Sequence, residues 1–417
     1  MAKEQMIVEK LGFDQLRDNQ KGPVEALRSG RDVLVTRPTG SGKSLIFWVA
    51  GLLLGSLTIV VEPLIALELD QVRKLQERGV AVRALHSGLK TVKRQEILKL
   101  IQTGELSFLY VSAEQLQNSE IAAVLRRAKI SFVAIDEAHT ITKYGHGFRE
   151  EYLQIGQFIQ SLPKRPVVGA FTATATPAVQ VEIAESLKLH DPYLSIGAIY
   201  RENLQLAVCE VGPDLKWPTD KAVIEQTKRE YIIKLMQKQK NGKTIIYCNT
   251  VKKAKKLHKY LKKQGIKSEK YHGRKMTFKK KKKALLNFME GKAQVMVATS
   301  AFGLGVDIPD VRLVIHHSPP MGLDDYLQEA GRAGRDGKKA LCVLLWHAAD
   351  FRTNEGLILK QKNRMTGAAV KQKKDSLKAL RAYAEEKKKC RWKLLSEFLG
   401  EKEIKKCKKS CDHCKNN

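Results

Sequence analysis

The sequence has no long uninterrupted apolar run. Its longest apolar stretch, roughly Leu45 to Val61, is broken by glycine and polar residues. That reads as a buried helix followed by a strand and excludes a membrane span. The N-terminus, MAKEQMIVEKLG, lacks the apolar core of a secretory signal. Acidic residues are scarce: 44 Asp+Glu stand against 75 Lys+Arg, a net charge of +31. A balance of that sign disfavours cationic partners and favours polyanions, nucleic acid first. Cysteine is also sparse. Cys209, Cys248 and Cys342 are isolated in apolar segments, and four of the seven fall in the last 28 positions. This placement excludes a secreted disulfide scaffold and fits a reducing interior with one metal site.

What is present is a globular composition, 43% apolar and 29% charged, over 417 residues. That length is enough for two or three domains with separate cores. One stretch organises the rest. The apolar run Val33-Leu-Val35 reads as a buried strand, followed by Arg37-Pro-Thr39-Gly40-Ser41-Gly42-Lys43-Ser44 and an apolar helix over Leu45–Leu54. This is the layout of a phosphate-binding loop. Glycines let backbone N–H groups close on phosphate oxygens, Lys43 reaches the β/γ-phosphates, and the Ser44 hydroxyl can coordinate Mg²⁺. The strict pattern places glycine where this chain has Arg37, which is expected to lie solvated at the strand end. Some twenty residues upstream, Phe13, Arg17 and Gln20 could receive an adenine: the ring by stacking, the amide by reading a donor and an acceptor.

Strand and helix patterns alternate with short turns through the first 200 residues, which argues for a parallel α/β sheet. Five of the six residues before Asp136 are apolar or β-branched, so Asp136 sits at the end of a buried strand, Ile130–Ile135. There it can hold Mg²⁺, with Glu137 polarising an attacking water; an acidic turn is the plainer alternative. Lys143, Tyr144, His146, Phe148 and Arg149 form a basic and aromatic cluster suited to single strands, or else a packed aromatic turn. Residues 210–225, with Pro213 and Pro218, read as a connection between lobes.

A second α/β pattern follows. Its helix Val251–Lys263 keeps Val251, Ala254, Leu257 and Leu261 on one face and its lysines on the others. Val251 to Ser300 holds 17 Lys/Arg against 2 Asp/Glu, which favours contact with a phosphate backbone. Strand Val295–Ala298 leads into a loop whose Gly305 permits close backbone approach and whose Asp307 can reach ribose or facing arginines. In Gln328-Glu-Ala-Gly331-Arg332-Ala333-Gly334-Arg335-Asp336, two arginines three apart are expected on one helix face. From there they can stabilise charge on a transferring γ-phosphoryl group; an ordinary basic helix surface is the alternative. Last come Cys390, Cys407, Cys411 and Cys414, read as four thiolates for a structural Zn²⁺ rather than a redox set.

Thr39–Ser44 with Asp136-Glu-Ala-His139 resembles a superfamily-2 helicase core and, more narrowly, the RecQ DNA helicases. The likeness extends through Tyr144–Tyr152, Phe171–Thr176, Tyr200-Arg-Glu-Asn-Leu204, Gln328–Asp336 and Cys390-Arg-Trp392. Tyr144, Gly147 and Glu150 depart from it where Trp, Asp and Pro are usual. The resemblance covers about residues 8–416. It implies two RecA-like lobes with parallel sheets (1–207 and 208–350) and a small helical zinc-binding subdomain (351–417). It also implies ATP, Mg²⁺ and Zn²⁺ as cofactors, Lys43, Asp136, Glu137, Arg332 and Arg335 as catalytic residues, and Tyr144, His146, Phe148 and Arg149 as DNA contacts. The expected activity is 3′→5′ ATP-dependent unwinding of DNA in repair or recombination. The expected partners are single-stranded and forked DNA and single-stranded-DNA-binding or recombination proteins. A monomer with no membrane association is expected, cytoplasmic at the nucleoid in a prokaryote and nuclear in a eukaryote. The chain ends three residues after Cys414, so no winged-helix module is expected. Two other readings stay open: a DNA-stimulated translocase or annealing factor that needs a partner, and a non-catalytic basic scaffold.

Overall fold

The structure is a computed structural model that describes residues 2–38, 40–63, 65–141, 150–217, 219–239, 241–273, 276–302, 308–360, 367–401 and 407–415. The chain divides into two compact units, Met1–Ala198 and Ile199–Asn417.

The first unit is built on seven strands: β1 (Val33–Thr36), β2 (Leu57–Val61), β3 (Val82–Leu85), β4 (Phe108–Val111), β5 (Ile130–Ile135), β6 (Val167–Thr172) and β7 (Tyr193–Ile196). They pair in the order β3-β4-β2-β5-β6-β1-β7, every pair parallel. β1, β2 and β4 are buried along their whole length. Such strands need apolar residues on both faces, which is why they read as continuous hydrophobic runs. One face packs Val33, Val35, Phe47, Val60 and Phe171. The other packs Leu34, Ile59, Val61, Ile135, Ala170 and the helix residues Ile183 and Leu187. Because all strands run the same way, the loops after β1, β5 and β6 leave by one edge. The order places β6 between the other two, which is where doubly wound sheets bind ligands.

The second unit holds β8 (Leu204–Glu210), β9 (Lys243–Tyr247), β10 (Ser268–Tyr271), β11 (Val295–Ala298), β12 (Val311–His316) and β13 (Ala340–Trp346), ordered β10-β11-β9-β12-β13-β8 and again all parallel. β8 pairs with β13 over all seven residues, so the boundary expected at 207/208 falls inside a strand. For the same reason residues 210–225 do not join lobes. They connect β8 to the helix Lys221–Lys238 within the second unit.

The cysteine-bearing segment packs into the core of that unit. Leu377 and Leu380 of the helix Gly367–Glu385, and Trp392 and Leu395 of the helix Arg391–Phe398, share one apolar cluster with Leu206, Val314 and Leu344. Elsewhere a charged group is fully enclosed. Lys228 is 0% exposed and pairs with Asp350, which also receives Lys253 at 3.0 Å; Lys253 in turn lies 3.3 Å from Glu225. Burial alone would raise the Asp350 carboxyl, but the two ammonium groups outweigh it and hold it below the usual aspartate range. No described helix is long and apolar enough to cross a membrane.

Removing one member of an enclosed ion cluster leaves the others uncompensated. Asp350→Ala is therefore expected to cost about 3–5 kcal/mol in urea unfolding at neutral pH. A depressed carboxyl stabilises above its unfolded pKa and loses that contribution as pH falls. The gap between the two proteins should therefore close as pH drops below ~4.

Candidate nucleotide site and metal cluster

Gly40 and Gly42 both have φ +84°, a backbone that L side chains rarely adopt, and Gly42 opens the helix Lys43–Leu54 without any side-chain cap. The Leu45 N–H turns back to the Gly42 carbonyl at 3.2 Å, and a helix start without a side-chain cap can offer N–H groups to an external acceptor. Gln20, nearly fully buried, donates its amide to the Gly42 carbonyl at 3.0 Å and accepts from the Arg17 N–H at 2.9 Å. A Cβ on Gly42 would come within 2.4 Å of the same amide nitrogen. Gln20 thus holds the loop from behind. One N–H and one lone pair of its amide remain for an adenine edge. Phe13 is exposed and able to stack.

Lys43 donates to the carbonyls of Arg37 at 2.9 Å and Pro38 at 3.4 Å. Ser44 follows it in the first turn, and the Ser41 hydroxyl is a buried atom with no hydrogen-bond partner among the described residues. Arg37 does not stay solvated. It is half-buried, donates to the Ser195 hydroxyl at 2.7 Å and sits against Gly197, because β7 flanks β1 at this end of the sheet. Desolvation lowers its pKa. Thr39 lies outside the described residues.

Asp136 leaves β5 at the same edge, and its carboxylate accepts the Glu137 N–H at 2.9 Å. Burial, then the neighbouring Glu137, push its carboxyl up to about 6, against the opposing pull of Lys43. A buried carboxylate raised in this way is one that a cation would stabilise, so Asp136 with the Ser44 hydroxyl fits Mg²⁺ in its donor chemistry. Glu137 has φ +46°, a costly conformation for a residue with a Cβ. His139 Nδ1 lies 3.0 Å from the Thr172 hydroxyl and 3.3 Å from Glu137 Oε2. The loops after β5 and β6 are thereby joined.

Sequence reasoning missed what stands behind Asp136. Trp48 Nε1 donates to the Tyr110 hydroxyl at 2.8 Å, that hydroxyl donates to Gln71 Oε1 at 2.8 Å, and the Gln71 amide donates to the Asp136 carboxylate. The relay crosses three separate elements, the helices Lys43–Leu54 and Ile65–Gln76 and the strand β4, so no local motif could reveal it. Tyr110 also senses Glu62 and Glu68. Glu68 is wholly buried, and burial pushes its carboxyl up to about 8.

In the second unit the paired arginines are not on a helix. The helix Leu323–Ala330 stops before them, and Arg332 and Arg335 lie in the turns that follow. Gly334, at φ +57°, breaks the helical path. A Cβ there would meet the Asn203 amide at 2.6 Å and the Lys338 carbonyl at 2.7 Å. Arg201 donates to the carbonyls of Gly331 (3.0 Å) and Gly334, and Asn203 to those of Gly334 (2.8 Å) and Lys338 (2.9 Å). The segment Tyr200–Leu204 is therefore the clamp that shapes the arginine turn. Arg332 is buried and helps to hold down the pKa of the enclosed Tyr247 hydroxyl, which burial raises. Gly305, Asp307, Tyr144, His146, Phe148 and Arg149 lie outside the described residues.

The four cysteines converge. All four Sγ atoms lie within 4.8 Å of one another, with Cys407 to Cys411 at 3.5 Å and Cys411 to Cys390 at 4.0 Å. Four thiolates around tetrahedral Zn²⁺ at 2.3 Å lie roughly 3.8 Å apart, so spacing and donor set both fit a closed structural zinc site. The segment is anchored on β8: the Leu206 N–H donates to the Ser410 carbonyl at 3.0 Å and the Val208 N–H to Asp412 at 2.9 Å. Arg391 donates to Asp412 at 3.1 Å, and the Trp392 indole to the Ser410 carbonyl at 3.2 Å. Cys411→Ser is expected to bring zinc content close to zero and lower the melting temperature by roughly 5–10 °C. Chelator should do the same to the unmodified chain and nothing further to the variant, as read by metal analysis and a thermal melt.

Against known proteins, residues 17–182 match the DEAD/DEAH box helicase family, 227–337 the helicase conserved C-terminal domain, and 348–415 the RecQ zinc-binding domain. The ATP-dependent DNA helicase RecQ of Pasteurella multocida is 33% identical over 403 residues, covering 97% of this chain and 60% of the relative. That of Bacillus subtilis is 32% identical over 414 residues, 99% and 66%. A second Bacillus subtilis relative, described as "Probable ATP-dependent DNA helicase RecS", is 34% identical over 359 residues, 85% and 69%. The chain thus spans about three fifths to two thirds of the length of these relatives. Among solved structures, the helicase MrfA bound to DNA has a TM-score of 0.68 at 17% identity, covering 84% of this chain and 51% of that one. Saccharomyces cerevisiae Dbp5 bound to RNA and ADP BeF3 has a TM-score of 0.63 at 18% identity, covering 90% and 97%. Those likenesses concern the fold. The matches to the curated RecQ helicases cover 97% and 99% of this chain, the zinc-binding match takes in the cysteine segment, and the chain belongs to the RecQ family of DNA helicases.

Proposed function

We propose that this chain couples ATP hydrolysis to movement along single-stranded DNA, with 3′→5′ polarity, and so separates duplex strands. The observation that carries the proposal is the gathering of Lys43, Ser44, Asp136, Glu137 and His139 at one edge of a parallel sheet. In this reading Gln20, Arg17 and Phe13 hold the adenine, while the phosphate loop and Lys43 hold the triphosphate. Mg²⁺, held by Ser44 and Asp136, would neutralise β- and γ-phosphate oxygens. Glu137 orients a water whose oxygen attacks the γ-phosphorus as the bond to the β,γ-bridging oxygen breaks. Arg332 and Arg335 stabilise the charge spread over the transferring group. His139 and Thr172 offer a hydrogen-bonded route from Glu137 to the loop after β6, through which nucleotide state can reach the bound strand. Tyr144, His146, Phe148 and Arg149 are proposed to contact that strand, Gly305 and Asp307 to complete the nucleotide site, and single-stranded-DNA-binding proteins to act as partners of a monomer.

Glu137→Gln keeps the size of the side chain and removes the acceptor charge. It is expected to lower DNA-stimulated ATP hydrolysis at least 100-fold while binding of single-stranded DNA persists; normal turnover overturns the proposal. The same preparation on a forked duplex separates autonomous unwinding from an ATPase that needs a partner. Gln71 is proposed as a positioning residue for Asp136. Gln71→Leu should raise the Mg²⁺ concentration needed for half-maximal hydrolysis about tenfold, a cost of ~1.4 kcal/mol. The KM for ATP at saturating Mg²⁺ should stay nearly constant. An unchanged Mg²⁺ titration removes that role.

A further inference from the structure

The edge of the second sheet carries a surface that the nucleotide site does not use. β10 is the last strand there and, among the described residues, pairs with β11 alone. Beside it Lys255, Lys259, Lys262 and Lys263 of the helix Val251–Lys263 meet Lys270 of β10 around a cavity of about 550 Å³, with His258 between them. The helix opposes its apolar residues Ala254, Leu257 and Leu261 to the core, so its lysines are forced outward. Among the described residues, none of the five lysines has an ion-pair partner, although ion pairs are formed elsewhere in this unit. Glu269, the one carboxylate nearby on β10, is taken up by the Asn287 amide at 2.8 Å. His258 adds no counter-charge: burial, then Lys270 and Lys262, lower its pKa to about 4, and its Nδ1 is engaged with the Ser268 hydroxyl at 3.1 Å.

Five ammonium groups held around one cavity repel each other, and the charge of Glu269 beside Lys270 offsets them only in part. The helix rises 1.5 Å per residue, so Lys255 to Lys263 extends the charge over ~12 Å, long enough to face several successive phosphates. The basic character continues onto the helix Phe278–Met289, where Lys279, Lys280, Lys282 and Lys283 are exposed, and Lys281 lies over the Tyr271 ring at 5.8 Å. Among the described residues, Tyr271 and Tyr260, the aromatic groups of this edge, are engaged within the protein. Tyr271 lies under Lys281 and packs edge-on to Phe302, and Tyr260 lies under Arg229. A single strand is normally gripped by such stacking as well as by charge. Charge without stacking suits the paired, inaccessible bases and dense phosphates of a duplex.

We propose that the β10 edge of the second unit, centred on Lys255, Lys259, Lys262, Lys263 and Lys270, is a sequence-independent binding surface for the phosphate backbone of duplex nucleic acid. The surface stands on its own charge and does not depend on the catalytic assignment of the nucleotide site.

The test uses the full chain with all five lysines changed to glutamine, and as control a variant with Lys387→Gln, Lys388→Gln and Lys389→Gln. Binding to a blunt 20-base-pair DNA duplex and to oligo(dT) is titrated at several salt concentrations. With about 0.9 counterion released per phosphate contact, the five-lysine variant should lose up to about 4.5 units of the duplex salt slope and tenfold or more in duplex affinity. Its oligo(dT) affinity, its circular dichroism spectrum and its oligo(dT)-stimulated ATP hydrolysis should stay within twofold of the unmodified chain. An unchanged duplex slope, an equal loss for oligo(dT), or an equal loss in the control variant each overturns the proposal. Loss of ATP hydrolysis in the unmodified chain would count against the proposed function and leave this comparison readable.

Discussion

Seven strands running in one direction oblige every loop that follows a strand to emerge at the same edge. With β6 between β1 and β5, the Gly40–Gly42 loop, the Asp136–Glu137 pair and the Thr172 turn become neighbours although the chain separates them by about 135 residues. The candidate chemistry of the first unit depends on this constraint. The apolar character of β1 and β5 is what keeps them in the middle of the sheet, because strands with apolar side chains on both faces need cover on both sides.

The same burial sets the electrostatics. Asp136 can be raised toward neutrality only because the strand end that carries it is enclosed, and its orientation comes from Gln71, Tyr110 and Trp48, which are enclosed with it. Glu137 is held in a left-handed backbone next to it. Conformational cost is thus concentrated where a carboxylate must point in a direction that relaxed backbone would not supply. The second unit uses a similar device at Gly334, where Arg201 and Asn203 fold a turn that helical geometry would have continued.

The zinc-type cluster and the lysine edge lie at opposite borders of the second sheet, one against β8 and the other against β10. At β8 the exposed edge is covered by the cysteine segment, which supplies acceptors to Leu206 and Val208. At β10, the other border strand, lysines of the neighbouring helix and of the strand itself gather, a charge that also discourages pairing with another chain's strand.

The strand, glycine turn and helix around Gly40–Lys43, Asp136 at a buried strand end and the convergence of the four cysteines were legible from sequence, because each is a local pattern of particular residues at short spacing. The helix Val251–Lys263 and the strands Ile130–Ile135 and Val295–Ala298 were legible for a related reason: hydrophobic periodicity is a local signal. Three things were not. Arg332 and Arg335 were expected on a helix face, but the Gly334 turn is imposed by Asn203 and Lys338, more than a hundred residues and four residues away. Arg37 was expected in solvent, but β7, a strand from the far end of the unit, closes over it. The segment 210–225 was expected between lobes, but β8 had already joined the second sheet by pairing with β13. The residue types and their local spacing determined which groups could bind phosphate and metal. Only the tertiary structure decided which groups meet, because strand order and long-range hydrogen bonds join residues whose sequence separation carries no periodic trace.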